Sequence, residues 1–304
     1  MGDVLRCGLI LLTCSEFLVT SATNMNRPTR PQPTYEISLE PAGGGWHCSH
    51  LYYTWDRDKL AQMSADQITS GRDAVIQALD PAASDSPTRL QTSVVSGHKA
   101  DFSLMLMDPD PLKVDRVHQR LMASPLGPMI KPGYSFVSVT EISEYVPSVE
   151  QFGQRLVAEG ETEGSDTYQA KVKGYADRLV SMNHQRLTPD FPEWPATCFY
   201  PMNKKRKVGE NWFTLTKDER NALMSEHARS GMAFAGKVSQ LITVGLGLDD
   251  WEWGVTLWAV NPEYLKDIVY RMRFDEASAR YAEFGPFLIS YVCTPEAMLQ
   301  HCQI

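Results

Sequence analysis

Residues 101–121, DFSLMLMDPDPLKVDRVHQRL, and residues 252–272, EWGVTLWAVNPEYLKDIVYRM, decide the fold. Each reads as a strand followed by a helix. Asp101, Phe102, Leu106, Pro111, Val114, Val117 and Leu121 line up with Glu252, Trp253, Leu257, Pro262, Leu265, Ile268 and Met272 at one constant offset of 151 residues. A shared spacing at one offset marks an internal duplication, that is, two similar structural modules in one chain.

The pattern extends outward from both copies. Around the first, alternation and helical periodicity predict strands at 49–55, 89–96, 101–107 and 134–142, with helices at 66–79 and 112–123. Around the second they predict strands at 198–204, 238–244, 253–260 and 287–293, with helices at 217–230 and 262–272. Both series run β-α-β-β-α-β, the ferredoxin-like order. Such a module places its helices on one sheet face. The other face must be buried, most simply against the twin module. The predicted fold class is therefore α+β, with a first ferredoxin-like module at 35–146 and a second at 196–304. Between them, 147–195 is rich in Glu, Gly, Asp and Ser and then Pro, and reads as a connector with one helix at 170–182.

Residues 1–34 read as a flexible N-terminal extension. The apolar run 7–13 after Arg6 resembles a signal peptide only superficially, because it is short, Glu16 interrupts it and no small-x-small site follows. The Pro-rich stretch 26–34 reads as a lead-in, and Met25 as a candidate start. No stretch approaches the roughly 18 apolar residues that would span a bilayer. The net charge of −8 argues against nucleic acid as a partner. The six cysteines form no C-x-x-C pair, which suggests reduced thiols and a cytoplasmic protein. His47, Cys48 and His50 match no zinc spacing and read as a strand entrance.

Several side chains invite a chemical reading. Thr216 and Glu219 form a capping box that opens the helix carrying His227. Leu223, His227, Gly231 and Phe234 share one stripe of it. A histidine there is either a satisfied core residue or a ligand, and neutral imidazole is the usual nitrogen ligand of haem iron. Gln240 shares a strand face with Val238, Ile242 and Val244. Left unpaired, that amide costs roughly 1–3 kcal/mol, so it is either a structural hydrogen bond or a polar group held over something bound. Tyr200, Met202 and Lys204 share a face of one strand, its ends about 13 Å apart, close to the width of a porphyrin. Pro201 lacks an N–H and points to an edge or an irregular position. The run Lys204-Lys205-Arg206-Lys207 is either a solvated turn or an anion site. Trp251 and Trp253 either pack in the core or flank a flat ligand.

These segments together resemble the coproheme decarboxylase branch of the chlorite dismutase family. The resemblance rests on CFYPMNKKR (198–206), on 219–231 with His227, on 236–243 with Gln240, on GLDDWEWGVTL (247–257), on MRFDE (272–276) and on SARY through Phe284-Gly285 (278–285). It covers 196–289 and is weaker over 102–145. It implies a dimeric α+β barrel of two ferredoxin-like halves, a porphyrin in the second half, and a homo-oligomer, usually a pentamer.

Residue by residue, the resemblance makes His227 the axial iron ligand and puts Gln240 on the distal side, where chlorite-degrading members carry arginine. Tyr200 becomes the redox-active tyrosine and Lys204 the lysine at a reacting propionate. Met202, Arg273, Ser278 and Arg186 become porphyrin or propionate contacts. The implied substrate, also its own cofactor, is Fe-coproporphyrin III (coproheme). The resemblance further implies that hydrogen peroxide oxidises two propionates to vinyls through a tyrosyl radical, giving haem b. The connector at 151–183 is longer than in compact relatives, and the N-terminal extension is atypical. Two other readings remain: a chlorite dismutase-like haem peroxidase, and a non-catalytic haem-binding or haem-transfer protein.

Overall fold

The computed structural model describes residues 37–304. The expectations for the extension 1–34, for Met25 and for the apolar run 7–13 lie outside the described residues. The first half comprises β1 (His47–Trp55), α1 (Arg57–Leu60), α2 (Ala65–Ala78), β2 (Arg89–Val95), β3 (Phe102–Asp108), α3 (Pro111–Ala123) and β4 (Ile130–Val139). Two helices follow, α4 (Val149–Ala158) and α5 (Asp166–Leu187). The second half begins with β5 (Ala196–Lys204), a ribbon of β6 (Arg206–Lys207) and β7 (Glu210–Asn211), then α6 (Lys217–Met232) and β8 (Val238–Val244). It ends with β9 (Trp253–Ala259), α7 (Pro262–Met272), α8 (Glu276–Ala279), β10 (Ala282–Phe284), β11 (Leu288–Cys293) and α9 (Pro295–His301).

The strands of the first half lie in the spatial order β2-β3-β1-β4, and those of the second in the order β8-β9-β5-β11, all antiparallel. Relative to their order in each half, both arrangements are two-three-one-four, as the ferredoxin-like reading requires. β11 joins β2 through Ser290–Cys293 against Thr92–Val95, and β4 joins β8 through Val139 with Val244 alone. β9 pairs β5 inside the second half, so the two sheets close into one barrel. Closure removes the exposed edges that would otherwise invite pairing with other chains. Pro201 falls on the edge of β5 where β11 has ended and β10 begins, and its carbonyl accepts from Gly285 N at 2.9 Å. A missing N–H costs nothing there.

Alternation sends Cys48, His50 and Tyr52 into the barrel and Tyr53 and Trp55 toward the helices. His50 is the hub of the interior. Its ring stacks on Phe199 at 4.1 Å between centroids, and Nε2 lies 2.7 Å from Thr256 Oγ1. Burial pushes its pKa down to about 3, so it is a neutral packing residue. Polar contacts cross between the halves: Trp258 Nε1 donates to Gln91 Oε1 at 3.0 Å, and Ser138 Oγ donates to Thr243 Oγ1 at 2.9 Å.

The two helical layers differ. In the first half, Val75, Leu79, Val117 and Leu121 pack onto Tyr53, Phe102, Leu104 and Leu106 and fill the layer. In the second, α7 packs onto Cys198, Val255 and Leu257 through Leu265, Ile268 and Met272. α6, however, buries only Ser230 fully.

The connector departs from expectation. It holds two helices, α4 and α5, where the sequence predicts one at 170–182. Ser148 and Gln151 make a reciprocal capping box at the start of α4, and Ser165 caps α5. Phe152 stacks on Tyr175 at 4.2 Å, tying the pair together. Among the described residues, no helix is long and apolar enough to cross a membrane.

Candidate active site

α6 is held from one side. Its Thr216–Glu219 capping box forms in both directions. Gly231 meets α7 so closely that an added Cβ would stand 3.0 Å from Met272 Cε. His227 and Ser230 meet Asp275, the residue before α8. Leu223, His227 and Phe234, expected on a buried stripe, are only half-buried. Opposite, on the helix-facing side of β8, Gln240 is exposed and Ile242 is 39% exposed, while Leu241 and Thr243 point into the barrel. His227 on α6 and Gln240 and Ile242 on β8 are therefore only partly covered on this side of the sheet.

His227 is held in one tautomer by its partner. Asp275 is 4% exposed; its Oδ1 accepts from Ser230 Oγ at 2.7 Å, and its Oδ2 lies 3.1 Å from His227 Nδ1. A buried carboxylate can only accept, so Nδ1 carries the ring proton and Nε2 keeps its lone pair. Burial, opposed by Asp275 and reinforced by Lys204, lowers the imidazole pKa, which keeps the ring neutral. Ser278 Oγ sits 3.5 Å from the same Nδ1, so this side chain belongs with the histidine.

The sheet carries the second group. In register, Tyr200 pairs Val255 and Val255 pairs Ile242, so two strand spacings, about 10 Å, separate Tyr200 from Ile242. Gln240 lies two residues further along β8, about 12 Å from Tyr200 on the same face. Trp253 pairs both Met202 and Val244 and shares this face, whereas Trp251 packs with Phe136 and Phe199 in the barrel interior. Tyr200 is buried, its ring stacked on Phe287 at 4.4 Å with Phe284 at 5.8 Å. Burial raises its pKa, so the phenol keeps its proton. Arg273, at the end of α7, lies 4.1 Å from the Phe284 ring and 5.8 Å from that of Phe287.

Lys204 closes the other end of the strand. Its Nζ sits 4.0 Å over the Trp212 ring, and burial pushes the ammonium down to about 8. Among the described residues, neither Lys204 nor Arg273 has a carboxylate within ion-pair reach. Two cations with no counter-charge beside a half-buried apolar sheet face fit a flat ligand with acidic arms.

Arg186 is placed less directly. It lies in the last turn of α5, where Leu187 O accepts from Thr140 Oγ1 at 2.7 Å. Burial lowers its pKa, and among the described residues no hydrogen bond joins it to the other site residues. Asp275, Trp212, Phe284 and Phe287 are site residues that the sequence reading did not single out. Asp275 and Phe284 stand in quoted motifs, but nothing local to them reveals a partner 48 residues away.

The chlorite dismutase family profile matches residues 67–293. The chain belongs to the chlorite dismutase family. A curated member from Oceanobacillus iheyensis, named coproheme decarboxylase, is 37% identical over 211 residues, 69% of this chain and 75% of that protein. A solved structure described as a novel heme-binding protein from Thermus thermophilus superposes with a TM-score of 0.69 at 30% identity, covering 86% of this chain and 96% of the other. A variant chlorite dismutase from Candidatus Nitrospira defluvii superposes with a TM-score of 0.63 at 15% identity, covering 86% and 96%, and shares the fold. The closed barrel of two ferredoxin-like halves is thus the architecture of this family.

Proposed function

We propose that this family member is an oxidoreductase of haem synthesis, a coproheme decarboxylase. One observation carries the reading: Lys204 and Arg273, neither with a carboxylate in reach, stand near the buried Tyr200, and the Nδ1 of His227 is engaged by Asp275, which leaves its Nε2 as the ligating atom. The name of the Oceanobacillus relative supports it. The substrate is Fe-coproporphyrin III and the product haem b. His227 Nε2 is the axial donor, and Asp275 fixes its tautomer. Lys204, Arg273 and, from α5, Arg186 take the propionates, Met202 lines the porphyrin, and Ser278, expected as a porphyrin contact, instead stands with Asp275 behind His227.

The bound iron porphyrin, with hydrogen peroxide, supplies the oxidising power. Gln240 offers a neutral hydrogen-bond donor on the distal side. Tyr200 relays a hydrogen atom: its phenol is oxidised, and the phenoxyl oxygen then takes hydrogen from the propionate β-carbon. Each propionic acid loses carbon dioxide and two hydrogens to become a vinyl, while one hydrogen peroxide becomes two waters. Lys204 orients the second propionate and handles its proton, a task suited to an ammonium whose pKa lies near neutrality. We place the enzyme in the cytoplasm as a homo-oligomer, by family habit a pentamer. The buried free thiols Cys48, Cys198 and Cys302 agree with a reducing compartment.

The test is to mix purified protein with coproheme, titrate hydrogen peroxide and follow porphyrin mass. Two successive losses of carbon dioxide with two hydrogens are expected. Stable haem b binding with no change in coproheme mass would leave a binding protein instead. Oxygen release from chlorite would favour chlorite chemistry, which a neutral Gln240 does not suit.

A further inference from the structure

The GLDDWEWGVTL segment contains one buried acid that the chemistry above does not use. Glu252 stands just before β9 and is 6% exposed. Its Oε2 accepts from the backbone N–H of Lys204 at 3.0 Å, and its Oε1 takes the guanidinium of Arg206. Its own N–H donates to Asn203 Oδ1 at 2.9 Å, and its carbonyl accepts from Gly245 N at 2.8 Å. The ladder between β5 and β9 ends at Met202 with Trp253, so Lys204 lies beyond its last strand partner on that side. The Glu252 carboxylate supplies the missing acceptor. Four cationic side chains follow one another here, Lys204 to Lys207, yet the carboxylate pairs with the third; Lys205 pairs with Glu210 at 3.7 Å. The Lys204 side chain turns to the Trp212 ring instead.

We propose that Glu252 is a positioning residue: it fixes the main chain of Lys204 and, neutralised by Arg206, leaves the Lys204 ammonium free for a carboxylate of the bound substrate. This rests on the coproheme reading and deepens it. A buried carboxylate without Arg206 would recruit the nearest cation, and Lys204 is tethered beside it. With Arg206 in place, Lys204 keeps its low pKa and its open hydrogen-bonding capacity. The Lys204 N–H is thereby paired beyond the end of the β5–β9 ladder, which holds its main chain in line with Tyr200 on the strand.

Two readouts test this on the full chain. One is coproheme affinity against pH, without peroxide. The other is the porphyrin mass distribution during peroxide titration. For the wild type, affinity is expected to weaken as pH rises through the Lys204 pKa of about 8. Glu252→Ala is expected to move that limb to higher pH, toward an ordinary lysine, and to accumulate a porphyrin with three propionates. Glu252→Gln, whose amide oxygen still accepts from Lys204 N–H, is expected to restore the wild-type product distribution. Arg206→Met, at a side chain 59% exposed, leaves the carboxylate free to pair with Lys204 and is expected to move the limb to higher pH without loss of fold.

An alanine variant indistinguishable from wild type, or a glutamine variant no better than alanine, overturns the proposal. Should the alanine variant not fold, an unchanged limb in Arg206→Met overturns it alone. A wild type that neither binds nor decarboxylates coproheme sinks the functional reading instead.

Discussion

Replacing Asp275 by asparagine isolates the tautomer of His227. The carboxylate holds two groups, Ser230 Oγ at 2.7 Å and His227 Nδ1 at 3.1 Å, in a buried setting. A hydrogen bond to a charged acceptor contributes about 1.5–3 kcal/mol, and losing the outer partner of a ligating histidine typically costs about 10–100-fold in metal affinity. The two scales agree, since each factor of ten is about 1.4 kcal/mol. Asparagine adds a second effect. Its Nδ2 can donate to His227 Nδ1, which drives the ring proton onto Nε2 and blocks the ligating atom. Asp275→Asn should therefore bind coproheme about 100-fold more weakly, and Asp275→Ala about 10-fold more weakly, since alanine leaves the ring free to choose its tautomer. Titrating apoprotein with coproheme and following the Soret band gives both affinities, and the iron–histidine stretch in the ferrous state reports the lost anionic character directly. Equal affinity in wild type and Asp275→Asn would refute the assigned proton position. An alanine variant weaker than the asparagine variant would refute the argument about tautomers.

Tyr200→Phe should bind coproheme normally, since the ring stack on Phe287 survives, and yield almost no vinyl product; normal turnover would remove tyrosine from the chemistry. The folded-state pKa of Lys204 lies below the ordinary lysine value of 10.5, so folding disfavours its charged form. For the protein without porphyrin, this group's penalty is full below about 8 and is relieved as pH rises toward 10.5; chemical denaturation of Lys204→Met should lack that rise in stability. Thr243→Val deletes the hydroxyl that accepts from Ser138 across the narrow junction of the barrel, at an expected cost of about 1–2 kcal/mol. Urea melts should show a lower midpoint with an unchanged slope.

The duplication was legible because packing against the same kind of sheet selects the same residues twice: Val117 and Ile268 occupy matching places in their cores. Strand faces were legible too. Strict alternation put Tyr200, Met202 and Lys204 on one side of β5, and Gln240 on the open face of β8. The connector was not, because α5 buries only Tyr175 and its polar composition carries no strong apolar period. Helical periodicity identified the inward stripe of α6 but not what it meets. Leu223 meets the small cluster of Trp212, Ala277 and Tyr281 and Phe234 meets the edge of the α7 layer, both half-buried, where Val75 of α2 is fully buried. The contacts of Asp275 with His227 and of Trp212 with Lys204 join separate segments, and no local window contains both partners.

The unequal layering of the two halves has a consequence for how such a protein is built. One copy of the repeat keeps a complete interior and can serve as ballast. The other leaves its first helix loosely buried, and leans on its sibling through the shared barrel. Two copies of one repeat have thus come to differ: the first is filled by its own side chains, and the second is the more open of the two.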